Sequence, residues 1–143
     1  MNNFTEFIEN AIAWALDNQS REDYKFKCLA FVEDAYELGN NIEMFGGSTA
    51  AESAEEYGVN PAGEPPRGSF VFFSTHGPVD GVEKNWGHVG LCIGNGDVIH
   101  TWDVIRVDNY LNIQTLSGAP GWSQPEYIGW TPPDVFLKGY IQR

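Results

Sequence analysis

Cys28, His88 and His100 are the residues of this sequence whose types could together carry out nucleophilic chemistry. A cysteine thiolate attacks a carbonyl carbon, a histidine takes the thiol proton and returns it to the leaving group, and a further polar side chain orients that histidine. Cys28 is then the nucleophile, His88 the general base and His100 the orienting residue. These residue types, in this order, predict a hydrolase of amide bonds that uses no cofactor.

Residues 88–100 predict a β-hairpin that carries both histidines. Two short apolar runs flank the turn sequence Gly94-Asn95-Gly96. If these three residues form the loop, Gly90 stands opposite His100 and the two imidazole rings point to the same face. A loop of two or four residues would shift the register by one and send the rings to opposite faces, so the expected geometry depends on the loop length.

Cys28 is predicted in the first turn of an amphipathic helix. Apolar side chains recur every three or four residues after Cys28, and Gly39 is the expected end of the helix. An earlier helix is predicted over residues 3–18, with Asn2 or Asn3 as its cap. Because free amide groups at a helix start favour negative charge, we expect this position to stabilise the thiolate of Cys28.

The rest of the chain predicts one more helix and then a sheet. Thr49 and Glu52 have the spacing of a capping box, which predicts a short helix that ends at Gly58. Residues 69–73 predict a central strand, and residues 75–86 predict a long polar loop. Further strands are predicted at 104–107, 127–130 and 139–141. Helices followed by strands indicate an α+β fold, in a single domain over residues 1–143.

The chain is acidic, with a net charge of −12, and residues 1–64 contain 13 acidic and 3 basic residues. Such a surface repels nucleic acid and attracts cationic groups such as free amines, although solubility alone also accounts for it. No segment resembles a signal peptide or a membrane span, so neither nucleic acid nor a membrane is an expected partner. Two cysteines without an export signal are expected to be free thiols in a cytoplasmic protein. The oligomeric state is not indicated.

The other candidate residues give weaker signals. Cys92 lies in the middle of a strand and is expected to be an inert core residue. His76 lies in a Gly-Pro loop and is expected to face solvent. A metal site built from the three histidines and Cys28 has no ligand pair of the usual zinc spacing, so no metal ion is expected. Asp103 is the alternative to His100 as the orienting residue.

Three segments resemble motifs of the NlpC-type cysteine peptidases of bacterial cell walls, which are small relatives of papain. Residues 27–32, Lys-Cys-Leu-Ala-Phe-Val, are similar to the family's nucleophile motif Asp-Cys-Ser-Gly-Phe-Val. Residues 67–73 are similar to its Pro-Gly-Asp-Leu-Val-Phe-Phe strand, and residues 88–100 to its His-Val-Gly hairpin that ends in Ile-His. The resemblance implies a papain-like fold, with N-terminal helices packed on a small antiparallel sheet or half-barrel. It also implies the catalytic roles given above.

The resemblance further implies an endopeptidase that acts on peptidoglycan stem peptides or their fragments. With the acidic charge of the chain, this favours a small peptide that carries a free ammonium group. The expected substrate contacts are Tyr24, Asp23, Trp86 and Trp102, because the first two precede the cysteine and the tryptophans flank the histidines. Two alternatives stay open: an amidase, deamidase or acyltransferase with the same triad, and a non-catalytic binding module of the same fold.

Overall fold

The computed structural model describes residues 4–143, and this part of the chain has an α+β architecture. Its helices are α1 (Thr5–Asp17), α2 (Cys28–Asn40), α3 (Ala50–Tyr57), α4 (Tyr110–Ile113) and α5 (Pro133–Phe136). Its strands are β1 (Ile42–Glu43), β2 (Phe70–Ser74), β3 (His76–Val79), β4 (Val82–Asn85), β5 (His88–Gly94), β6 (Asp97–Thr101), β7 (Ile105–Asn109), β8 (Glu126–Thr131) and β9 (Ile141–Gln142). Within these residues, no helix has the length and apolar character that a membrane span requires.

The long helices α1 and α2 pack against each other as their apolar periodicity predicts. The helix α2 begins at Cys28, as expected, but Gly39 does not end it. Asn41, with a left-handed φ of 54°, terminates the helix instead. Gly39 marks a close approach to α1, because a Cβ at this position would lie 2.8 Å from the carbonyl oxygen of Asn10. The glycine therefore serves helix packing rather than helix termination.

The helix α3 has the predicted ends. The side chain of Thr49 accepts a hydrogen bond from the backbone amide of Glu52 at 3.1 Å, and Gly58, with φ of 73°, ends the helix. For α1, the proposed caps Asn2 and Asn3 lie outside the described residues.

Five antiparallel strands form the main sheet in the order β7-β6-β5-β2-β8. The strand β2 is internal and fully apolar on both faces over residues 70–73, so the central strand predicted there is confirmed. One face of the sheet packs on α1 and α2. The strand predicted at residues 139–141 is reduced to β9, which pairs with β1 in a separate two-stranded sheet.

The β5–β6 hairpin has the predicted register but not the predicted loop. Leu91 pairs with Ile99, which sets Gly90 opposite His100, as the sequence indicated. The loop itself contains two residues, Asn95 and Gly96, both with positive φ. An irregularity between positions 92 and 94 adds one residue to β5 and restores the register that a three-residue loop would give. Both histidines therefore lie on one face although the expected loop length is wrong.

The segment 75–86 is a hairpin and not the long polar loop expected from its composition. Strands β3 and β4 lie in this segment and pair with each other in antiparallel fashion, with Val79 opposite Val82. Asp80 and Gly81 form the turn, with φ values of 50° and 79°. An Asp-Gly pair between two valines is a typical hairpin signal, which the polar composition of the segment concealed. This hairpin carries the chain to His88 and forms one wall of the candidate site.

Candidate active site

Cys28 is the first residue of α2 and lines a cavity together with His88. The chain turns sharply before the helix, because Phe26 has a left-handed φ of 64° and Lys27, with φ −122° and ψ 45°, is neither helical nor extended. No side chain caps this helix start. The first amide groups of α2 therefore lack a side-chain cap, and those of Cys28 and Leu29 act on the Cys28 sulfur.

Burial raises the pKa of the Cys28 thiol, and this effect exceeds the opposing influence of the backbone amides of Val89, Leu29 and Cys28 itself. The amides at the helix start do lower the pKa of the thiol, as expected. The pKa as a whole is nevertheless raised, so the expectation of a stabilised thiolate is wrong. The protonated thiol is the resting form. A nucleophile in this form needs a neighbouring base at the moment of attack.

The ring of His88 is held by a chain of hydrogen bonds across the sheet. Its Nε2 lies 2.9 Å from Nδ1 of His100, and Nε2 of His100 lies 2.8 Å from Oδ2 of Asp108. His88 is 4% exposed and His100 is completely buried. The Trp102 ring closes one side, roughly perpendicular to the His88 ring, with the two ring centroids 5.2 Å apart. Only Nδ1 of His88 is left without a partner in this chain of contacts.

Both histidines are neutral in the resting site. Burial lowers the pKa of His88 well below its ordinary value, and the neighbouring His100 lowers it further. Burial also lowers the pKa of His100, although the hydrogen bond to Asp108 acts in the opposite direction. A neutral imidazole can accept a proton, so His88 has the form that a general base requires.

The acid that contacts His100 is Asp108 and not Asp103. Asp103 is largely exposed and accepts hydrogen bonds from the Val104 amide and from Arg106. Sequence analysis missed Asp108, although a signal for it existed. In the β6–β7 pair His100 stands opposite Arg106, and strand alternation then places Asp108 on the same face as His100. Recognising the short turn after Thr101 would have been enough to find it.

The cavity has a volume of about 990 Å³ and mainly apolar walls. Trp86 and Trp102 line it, as their positions beside the histidines in sequence suggested. Phe26 and Trp122, whose ring centroids are 6.4 Å apart, line it as well and were missed. Phe26 is 71% exposed, which is unusual for a phenylalanine and places an aromatic ring at the edge of the cavity.

Tyr24 and Asp23, the other two expected substrate contacts, do not line this cavity. The hydroxyl of Tyr24 donates a hydrogen bond to Asp34 at 2.6 Å, and its ring packs against aromatic neighbours, including Phe31. Asp23 is exposed and forms an ion pair with Arg21. Local structural interactions therefore occupy both side chains. Neither Tyr24 nor Asp23 therefore lies where a substrate contact was expected, at the wall of the cavity.

Two polar side chains in the cavity have no partner among the described residues. Thr101 is 3% exposed, and its hydroxyl forms no hydrogen bond. Glu33 lies on α2, and burial, reinforced by the charges of Glu37 and Asp34, raises its pKa to about 7. A polar atom without a partner in an apolar cavity gains free energy when a ligand supplies one. Glu33 is therefore suited to contact a bound polar group, whereas the Thr101 hydroxyl is buried and not accessible to one.

Cys92 and His76 lie away from the cavity. Cys92 is completely buried, with its sulfur 3.3 Å from the carbonyl oxygen of Pro65, and His76 is exposed. Both cysteines are free thiols, as expected. In residues 4–143 no group of three or more His, Cys, Asp or Glu side chains is arranged to hold a metal ion.

Comparison with known proteins identifies the family of this chain. The profile of the NlpC/P60 family matches residues 13–122, a range that contains Cys28, both histidines and Asp108. None of the curated proteins matches the chain. The antiparallel sheet, with the cysteine-bearing helix packed on it, is the papain-like arrangement that the motif resemblance implied. The chain therefore belongs to the NlpC/P60 family, a family of papain-like cysteine peptidases and amidases associated with cell walls.

Proposed function

We propose that the protein hydrolyses amide bonds in peptidoglycan stem peptides or their fragments, with Cys28 as the nucleophile, His88 as the base and His100 as the orienting residue. The observation that carries this proposal is the 2.9 Å contact between the two histidine rings beside a cavity that Cys28 also lines. Support also comes from the family match, since residues 13–122 contain all three of these residues, and from the resemblance of the segments around them to motifs of that family.

In the proposed reaction, Nδ1 of His88 takes the proton of the Cys28 thiol as the sulfur attacks the carbonyl carbon of the peptide bond. The backbone amide of Cys28, at the start of α2, donates a hydrogen bond to the oxyanion that forms. The carbon–nitrogen bond then breaks, and the leaving amine takes the proton from His88. Water adds to the resulting thioester with His88 again as the base, which releases the carboxylic acid and restores the thiol.

The raised pKa of Cys28 and the lowered pKa of His88 favour this concerted route over a preformed thiolate–imidazolium pair. Both groups are neutral before substrate binds. The charge separation therefore develops during attack, where the amides of the helix start stabilise the anionic side. A substrate that displaces water from the cavity strengthens these interactions.

Short peptides are the proposed substrates because the cavity has mainly apolar walls that include several aromatic rings. Its volume of about 990 Å³ lies at the upper end of ordinary ligand pockets. Trp86, Trp102 and Trp122 offer flat apolar surface to aliphatic parts of a peptide. Glu33 lines the cavity and is partly buried there, and we assign to it, in place of Asp23, the role of accepting hydrogen bonds from an ammonium group.

Hydrolysis of free stem tetrapeptide, its N-acetylated form and intact sacculi, followed by chromatography of the products, tests the proposal. The wild-type protein is expected to cut the free peptide, and Cys28→Ala to lose at least about a thousandfold in rate. Cys92→Ala is the matched control and keeps the wild-type rate. Hydrolysis by Cys28→Ala at the wild-type rate would disprove the mechanism.

The three substrates separate the enzyme mechanism from the substrate preference. The free peptide is expected to react at least about tenfold faster than the acetylated peptide, and Glu33→Gln to reduce that ratio. Equal rates on both peptides would mean that the ammonium group is not recognised. Such a result leaves the thiol mechanism standing and removes only the proposed preference.

A further inference from the structure

We propose that Asp108 is a positioning residue that acts through His100 to determine which ring nitrogen of His88 is free to take a proton. This inference rests on the proposed function, because it concerns the residue that would be the base. It adds a fourth member, on β7, to a site that the sequence motifs describe with three.

Asp108 is the fixed end of the chain. The neighbouring His100, together with Arg106, holds the pKa of the Asp108 carboxyl below its usual range, so the group is a carboxylate and can only accept hydrogen bonds. Its Oδ2 lies 2.8 Å from Nε2 of His100. This nitrogen must therefore carry the hydrogen of the His100 ring.

A neutral imidazole carries one hydrogen, so His100 with its hydrogen on Nε2 has a lone pair on Nδ1. That lone pair faces Nε2 of His88 at 2.9 Å. Nε2 of His88 must then be the donor, which leaves its own lone pair on Nδ1. The carboxylate thus sets the tautomers of both rings, and Nδ1 of His88 becomes the nitrogen that can accept the thiol proton.

Arg106 holds Asp108 in the position that this role requires. Its Nε lies 2.9 Å from Oδ2 of Asp108, and its Nη2 donates to Oδ1 at 3.3 Å. The same guanidinium contacts the exposed Asp103 at 3.2 Å. The Asp108 side chain is only 17% exposed, so water competes weakly for its contact with His100.

The charged and titratable groups around the two rings are few in the described part of the chain. Asp108, Arg106 and Asp103 lie on the β7 side, and Cys28 lies on the α2 side of the cavity. When His88 takes a proton, its Nε2–H still donates to His100. Asp108 then supplies the nearest negative charge along the chain, which favours the protonated intermediate.

The nitrogen resonances of the histidine rings test this proposal directly. In uniformly ¹⁵N-labelled protein, long-range proton–nitrogen spectra distinguish the two neutral tautomers of each ring. We expect both His88 and His100 of the wild-type protein to be wholly in the Nε2–H form at pH 7.5. In Asp108→Ala, which has no acceptor, a second tautomer of His100 should appear, with a second set of His88 signals.

The activity of the same variants provides the second readout. Asp108→Ala is expected to lower kcat on the free stem peptide at least about tenfold, with KM changed less than about twofold. Asp103→Ala, the matched control on the same Arg106, should keep the wild-type tautomers and kcat. Asp108→Asn keeps the shape of the side chain but offers a donor as well as an acceptor, so it should also populate both tautomers.

Unchanged tautomers and unchanged kcat in the Asp108 variants would overturn the proposal, as would a wild-type His88 with its hydrogen on Nδ1. If Asp108→Ala fails to fold, Asp108→Asn carries the same test. The tautomers are observed without substrate, so a protein that shows the predicted tautomers but cuts no stem peptide would refute the proposed function and not the positioning by Asp108.

Discussion

Gly90→Ala probes the register that brings the two histidines together. A Cβ at position 90 would lie 2.3 Å from Cγ1 of Val98 and 3.0 Å from Cβ of His100. Both neighbours are completely buried, and neither presents the end of a flexible chain that could move aside. The added methyl group must therefore displace β6 or rotate Val98 out of its position.

Overpacking of this kind costs about 1–3 kcal/mol of the free energy of unfolding. Val98→Ala, which removes the methyl group at 2.3 Å, creates a cavity and should by itself cost about 1–3 kcal/mol as well. The two substitutions compensate in space, because the new methyl group at position 90 enters the volume that Val98 vacates. The double variant should therefore be more stable than the sum of the single effects by at least about 1 kcal/mol.

Urea unfolding of the wild type, both single variants and the double variant measures this coupling, and hydrolysis of the free stem peptide follows the effect on the site. Gly90→Ala is expected to lower kcat several-fold, because a shift of His100 lengthens its 2.9 Å contact with His88. Wild-type stability of Gly90→Ala, or additive effects in the double variant, would show that Gly90 does not face Val98 and His100. The hairpin register would then be wrong.

Four further substitutions test other parts of the structure. His100→Ala should lower kcat by about 100-fold or more. Asp103→Ala should change kcat less than about twofold, because the Asp103 carboxylate is 64% exposed. If Asp103→Ala lowers kcat more than His100→Ala does, Asp103 is the orienting residue. Cys92→Ala should reduce the free energy of unfolding by about 1–2 kcal/mol and leave kcat unchanged, because the thiol is completely buried and does not line the cavity. Loss of activity in this variant would contradict that placement. The pKa of Glu33 is raised to about 7, so the folded state holds a proton that the unfolded state releases. The contribution of Glu33 to the free energy of unfolding therefore falls as the pH rises from about 4.5 through 7. Glu33→Gln should therefore gain stability over the wild type at pH 8 but not at pH 4.5 in urea titrations, and a constant difference would refute the raised pKa.

The parts of the fold that depend on local sequence could be predicted. The apolar repeat located α2 with Cys28 in its first turn, and Thr49 and Gly58 marked the ends of α3. The hairpin register was predicted correctly from a loop length that is wrong, because the extra residue in β5 compensates for the shorter turn. A β-bulge of this kind leaves little trace in composition, so its contribution could not be read from the sequence.

The parts of the site that depend on tertiary contacts could not be predicted in the same way. Phe26 and Trp122 meet at the cavity although nearly a hundred residues separate them. Tyr24 precedes Cys28 closely in sequence, but its hydroxyl is bound by Asp34. The pKa of Cys28 rises because of burial by the whole fold, whereas the helix start, which the sequence shows, acts in the other direction. Proximity in sequence was a poor guide for Tyr24 and Asp23, whose side chains are held by local partners.

The central claim is that Cys28 carries a covalent acyl intermediate, and mass spectrometry of the enzyme during turnover tests it most directly. The protein is mixed with excess free stem peptide, quenched in acid within the first turnovers, digested and mapped. The account predicts a thioester adduct of the acyl fragment on the peptide that contains Cys28, and none on Cys92. Turnover without any adduct on Cys28, or an adduct on Cys92, would contradict it.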